Sequence, residues 1–189
     1  MRENIILVGY MGSGKSTVGI KLAKLYGMKF YDTDEMIEEK AGMKISEIFE
    51  KYGEAAFRDM ETELIREAAS WKNAVISTGG GMPVREENRE LLKKAGAVIY
   101  LKTDAKTTVS RLMPRKEREE ANDDAVNKRP LLAGSGEKEL YEKAKKMIEI
   151  RKPMYIDAAN IIIETDGRSL YQVIDDIKTQ LRKRNKSSS

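Results

Sequence analysis

The stretch Ile5-Ile6-Leu7-Val8-Gly9-Tyr10-Met11-Gly12-Ser13-Gly14-Lys15-Ser16-Thr17 constrains this chain more than any other. Its four leading apolar residues read as a short buried strand. Gly9 to Ser16 satisfy every fixed position of G-x-x-x-x-G-K-[ST], the P-loop. The glycines let the backbone curl so that its N–H groups point inward at phosphate oxygens. The helix that follows adds its positive dipole end. Gly12, Ser13, Gly14, Lys15, Ser16 and Thr17 are therefore candidate ATP contacts. Lys15 can reach the β- and γ-phosphates, and the Ser16 hydroxyl can bind Mg²⁺. The alternative, a chance Gly-rich turn, fits poorly with an apolar strand before it and Val18, Leu22 and Leu25 at helical spacing after it. The motif implies phosphoryl transfer from a nucleoside triphosphate and does not name the acceptor.

The remaining elements follow from periodicity and breakers. Helices are expected over 15–26, through most of 35–72 with breaks near Gly42 and Gly53, and over 85–94, 107–113, 137–151 and 169–181. Ser46 is the expected N-cap of one of them. Further strands are expected over 29–31, 74–77, 97–101 and 160–164. Near-continuous apolar strands alternating with helices imply a five-stranded parallel sheet covered on both faces, a three-layer α/β/α sandwich. Ligands then gather at the carboxyl ends of the strands. The P-loop, Asp32/Asp34 and Gly79–Gly81 each follow a strand, so all are expected at one edge. One domain over 1–181 is expected, with no internal repeat.

Composition narrows the chemistry. The chain has 189 residues with no cysteine and no histidine. Disulfides, thiolate zinc sites and imidazole catalysis are excluded, so a proton acceptor must be a carboxylate or water. With the first strand at residue 5 and no apolar run of membrane length, no signal peptide or membrane span is expected, and the cytoplasm is the expected location. The net charge of +4 resides in Arg182, Lys183, Arg184 and Lys186, and the body over 1–181 balances 31 basic against 31 acidic residues. The sequence therefore gives no support for a nucleic-acid-binding face; residues 182–189 read as a solvated, flexible tail.

A phosphoryl-transfer site needs a carboxylate near Mg²⁺, usually from the end of a strand beside the P-loop. The strand over 74–77 ends without an acid, which leaves Asp32-Thr33-Asp34. Asp32 is assigned, with Ser16, to Mg²⁺ or its water shell. Asp34 faces the acceptor and can take its hydroxyl proton. The alternative is that both only cap the next helix. Gly79-Gly80-Gly81 exceeds what a turn needs and suits close approach of a small polar ligand to backbone N–H groups. Residues 114–130 hold ten charged side chains and read as a mobile lid. Arg129 is positioned to close over the transferring phosphate, and Arg115 to lie on the adenine or simply in solvent. Arg58 and Arg151 are forks suited to a carboxylate or phosphate, or plain surface arginines; Glu61, three residues on, shares the face of Arg58.

Taken together, the P-loop, Asp32-Thr33-Asp34, Phe57-Arg58 with Glu61, Gly79-Gly80-Gly81, Lys128-Arg129-Pro130-Leu131-Leu132 and Arg151-Lys152-Pro153-Met154-Tyr155 resemble the shikimate kinase family. The resemblance implies a P-loop kinase fold with a mobile lid and ATP-dependent, Mg²⁺-supported phosphorylation of the 3-hydroxyl of shikimate. It further implies that Asp34 binds the acceptor hydroxyls and that Arg58 and Arg151 clamp its carboxylate. Gly80 and Gly81 would offer N–H groups, Lys15 would stabilise the γ-phosphoryl group, and Arg129 would close from the lid. The segment over 114–129 is longer and more acidic than the family pattern, and Thr165-Asp166-Gly167-Arg168 matches it loosely. ATP/ADP and shikimate are the expected partners, with no nucleic acid, no membrane and a monomer. The rivals are another small-molecule kinase of gluconate type, which would be expected to show a histidine, an adenylate kinase, and a non-catalytic nucleotide-binding module.

Overall fold

Five apolar runs form the strands β1 (Asn4–Val8), β2 (Lys29–Asp32), β3 (Ala74–Ser77), β4 (Gly96–Lys102) and β5 (Ile161–Glu164). The computed structural model describes residues 3–112 and 137–187. All pairings are parallel and the strand order is β2-β3-β1-β4-β5. β1 and β3 are buried along their whole length, which is why they read as unbroken apolar runs. The edge strand β5 alternates buried and exposed residues.

The helices are α1 (Lys15–Tyr26), α2 (Thr33–Ala41), α3 (Ile45–Ala68), α4 (Glu86–Ala95), α5 (Ala105–Leu112), α6 (Glu137–Ala158) and α7 (Leu170–Ser187), with a short 3₁₀ turn at Met82–Val84. Successive strand residues point to opposite faces. Ile5 and Leu7 pack with Val18, Leu22, Val173 and Ile177 of α1 and α7. Ile6 and Val8 pack with Ile65, Leu92, Ala144 and Tyr155 of α3, α4 and α6. A third cluster, Ile37, Ile45, Ile48, Phe57 and Leu64, lies between α2 and the two halves of α3.

The expected strands and their order of appearance recur, and several helix bounds differ for physical reasons. The helix expected to be capped by Ser46 starts at Ile45 instead. Glu47 reaches back to accept from the Lys44 N–H at 2.7 Å, and Glu38 of α2 accepts from the Ile45 N–H at 3.1 Å. α3 breaks at Gly53, whose φ of 80° only glycine adopts readily. α6 continues past Arg151, where the sequence reading ends it: Pro153 lies inside the helix, and Tyr155 and Ala158 beyond it are buried. The packing gained by those residues outweighs the one backbone bond that proline forfeits. α7 runs through Ser187, so Arg182 and its basic neighbours stand on a helix rather than on a free tail, and Arg184 pairs with Glu3. Among the described residues, no helix is long and apolar enough to cross a membrane.

The topology already places a site. The crossover through α1 carries the chain from β1 to one side of the sheet, and the crossover through α4 carries it from β3 to the other. The crevice between β1 and β3, at their carboxyl ends, is the switch point where ligands bind in open α/β sheets. The two loops that leave these strands are the P-loop and Gly79–Gly81.

Candidate active site

A cavity of about 560 Å³ opens at this switch point. The P-loop lines one end. Gly12 and Gly14 hold φ of 76° and 94°, and α1 starts at Lys15 directly after them. The Lys15 ammonium donates to the carbonyls of Gly9 at 2.9 Å and Tyr10 at 3.1 Å, so it rests folded over its own loop. Ser16 Oγ donates to Asp32 Oδ2 at 2.9 Å and lies 3.4 Å from Ser77 Oγ. Asp32 Oδ1 accepts from the Asp34 N–H at 3.1 Å. Asp32 thus does two things at once: one oxygen caps α2 and the other meets the P-loop serine.

Asp34 occupies the first turn of α2, facing the other end of the cavity. Its Oδ1 is buried and has no hydrogen-bond partner among the described residues. Burial, reinforced by the charges of Asp32 and Glu61, pushes its carboxyl up to about 7, with Lys15 opposing and Glu38 adding. Glu61 is buried too, and one of its oxygens accepts from Arg58 Nη1 at 2.6 Å while the other has no hydrogen-bond partner among the described residues. Burial raises the Glu61 carboxyl even against the Arg58 guanidinium. Arg58 also donates to Glu54, at 3.2 Å from Nε and 2.9 Å from Nη2. Two carboxylates on the same helix therefore fix a single guanidinium.

The glycine run is packed from three sides. A Cβ on Gly79 would collide with Asp34 Oδ1 and reach Glu61 Oε1 at 3.0 Å, and a Cβ on Gly81 would collide with the Arg58 guanidinium. One on Gly80 would lie 3.5 Å from the Met11 N and 3.6 Å from the Gly9 O. The loop after β3 therefore abuts the P-loop directly. Arg151 of α6 donates to the Gly80 carbonyl at 3.3 Å.

The structure brings Gly12, Gly14, Lys15, Ser16, Thr17, Asp32, Asp34, Arg58, Gly80, Gly81 and Arg151 to the lining of one cavity. Ser13 is buried behind the loop, its N–H donating to the Tyr10 carbonyl at 3.1 Å. Arg115, Arg129 and the expected lid over 114–130 lie outside the described residues. Two residues carry contacts to which the sequence reading assigns no role, Tyr155 entering it only as part of a motif. Arg111, in the last turn of α5, donates to the Gly12 carbonyl at 3.0 Å, which sets a cation beside the P-loop. Tyr155 donates to the Gly80 carbonyl at 2.6 Å. Neither carries a local signal, because each contact joins residues far apart in sequence.

The shikimate kinase family model matches residues 11–182. A shikimate kinase of a Sulfurihydrogenibium species is 42% identical over 182 residues, covering 96% of this chain and 99% of that one. The solved shikimate kinase of Acinetobacter baumannii, in complex with shikimate, is 39% identical with a TM-score of 0.82, covering 97% of this chain and 94% of that one. That of Bacteroides thetaiotaomicron is 31% identical with a TM-score of 0.83, covering 95% and 98%. A match that runs nearly end to end, over a P-loop and the same α/β architecture, shows that the chain belongs to the shikimate kinase family.

Proposed function

We propose that this protein transfers the γ-phosphoryl group of ATP to the 3-hydroxyl of shikimate, yielding shikimate 3-phosphate and ADP. The observation that carries the reading is the contact between the two loops. The Gly79–Gly81 backbone lies against Met11 of the P-loop, with Asp34 and the Arg58–Glu61 pair on its far side. A phosphate donor on one loop and a small acceptor on the other are then adjacent, with little left for catalysis but orientation and charge stabilisation.

Asp34 accepts the proton of the attacking hydroxyl as the new P–O bond forms and the bond to the leaving ADP breaks. A carboxyl held at about 7 is well matched to that task. Arg58 and Arg151 hold the acceptor carboxylate, with the N–H groups of Gly80 and Gly81 beside them. Lys15 leaves the Gly9 and Tyr10 carbonyls to meet the γ-phosphoryl oxygens, and Arg111 lies along the nucleotide. The hydroxyl and carboxylate of Ser16 and Asp32, 2.9 Å apart, are hard oxygen donors that fit Mg²⁺, with phosphate and water completing the set. When bound, the ion neutralises charge on the phosphate oxygens.

A coupled assay with Mg·ATP tests the reading: ADP release is expected with shikimate and not with gluconate. Release no faster with shikimate than without an acceptor would overturn it.

A further inference from the structure

The segment after β3 is held from outside at nearly every turn. Thr33 Oγ1 accepts from the Gly79 N–H at 2.8 Å, and Asn88 donates to the Met82 carbonyl at 2.9 Å. Arg89 donates to the carbonyls of Pro83 at 3.0 Å and Val84 at 3.2 Å. The Gly80 carbonyl receives two donors from α6, the Tyr155 hydroxyl at 2.6 Å and Arg151 at 3.3 Å. These residues are four apart, so they stand one above the other on the same face of the helix. The hydroxyl makes the shorter bond of the two, and Arg151 also lies against it.

The Tyr155 ring is aimed by packing. It is 1% exposed and stacks on Tyr100 with centroids 5.0 Å apart and planes at 27°. Burial raises the hydroxyl well above its ordinary range, so it remains a donor at any working pH.

The carbonyl of Gly80 and the N–H of Gly81 are opposite ends of one rigid trans peptide. In a trans peptide the two point in opposite directions, so holding the Gly80 carbonyl on Tyr155 and Arg151 of α6 fixes where the Gly81 N–H points, and both glycines line the cavity. Among the described residues, no backbone hydrogen bond uses that N–H. A peptide between two glycines has no Cβ on either side to fix its plane. The hydroxyl supplies what the sequence of the loop cannot.

We propose that Tyr155 is a positioning residue for acceptor recognition: its hydroxyl sets the plane of the Gly80–Gly81 peptide so that the Gly81 N–H is held ready for the acceptor carboxylate. This rests on the acceptor assignment above. Tyr155→Phe keeps the stacked ring and removes only the hydroxyl. It is expected to raise KM for shikimate about ten- to a hundredfold, the loss of one hydrogen bond to a charged group. The kcat, KM for ATP and Tm should stay close to wild type. With an acceptor analogue lacking the carboxylate, variant and wild type should have the same KM. An unchanged KM for shikimate, an equal penalty with the carboxylate-free analogue, or a fall in Tm with unchanged KM would each overturn the proposal. Failure of the acceptor assignment itself is distinguishable, because it appears as wild-type enzyme that releases no ADP in response to shikimate.

Discussion

Asp34 concentrates the site's electrostatics in one side chain. Its carboxyl sits at about 7 against an ordinary 3.8, chiefly through burial and then through Asp32 and Glu61. The folded chain therefore binds a proton that the unfolded chain releases between those values, and the group opposes folding progressively as pH rises through them. Asp34→Asn should be more stable than wild type at pH 8 by about 4 kcal/mol, with the difference vanishing toward pH 4, measured by urea denaturation at both. The same variant should bind ATP normally and turn over about a thousandfold more slowly. In wild type, kcat/KM for shikimate should rise with pH to a plateau with a midpoint near 7, as the free carboxyl loses its proton. Asp34 was legible because a phosphate cradle without histidine leaves few other bases and this pair ends a strand. Arg111 and Tyr155 were not: their partners lie 99 and 75 residues away, and only the sheet order brings them together.

At the scale of elements, the run Gly79-Gly80-Gly81 was legible as unusual, and its cause is broader than ligand approach. Asp34, Glu61 and Arg58 already occupy the space that side chains on Gly79 and Gly81 would need. Gly81→Ala should push Arg58 off Glu61 and leave a buried carboxylate unpaired. The expected result is a loss of about 2–4 kcal/mol and at least a tenfold rise in KM for shikimate, read by thermal unfolding and steady-state kinetics. The bounds of α6 were misread because proline is a reliable stop for an isolated helix. Here Tyr155 and Ala158, both buried beyond it, carry the helix through.

Across the whole molecule, Asn4 ties the base of the sheet together. Its amide donates to the carbonyls of Trp71 at 2.7 Å and Ala95 at 2.9 Å and accepts from the Ala74 N–H at 3.1 Å. It joins the ends of α3 and α4 to β1 and β3, far from the cavity. Asn4→Ala should cost about 2–4 kcal/mol by leaving those backbone groups unsatisfied, with KM for both substrates unchanged. Nothing in the sequence marks this asparagine, since its three partners are all backbone. By contrast, deleting residues 182–189 removes the exposed pair of Arg184 with Glu3 and should shift stability by less than about 1 kcal/mol with activity intact.

The small cluster of Ile37, Ile45, Ile48, Phe57 and Leu64 stands apart from the two cores that cover the sheet. Phe57 and Ile45 of that cluster line the cavity, and the P-loop rests on the sheet cores instead. A substitution within this cluster should therefore reshape the wall it gives the cavity without disturbing the packing beneath the P-loop.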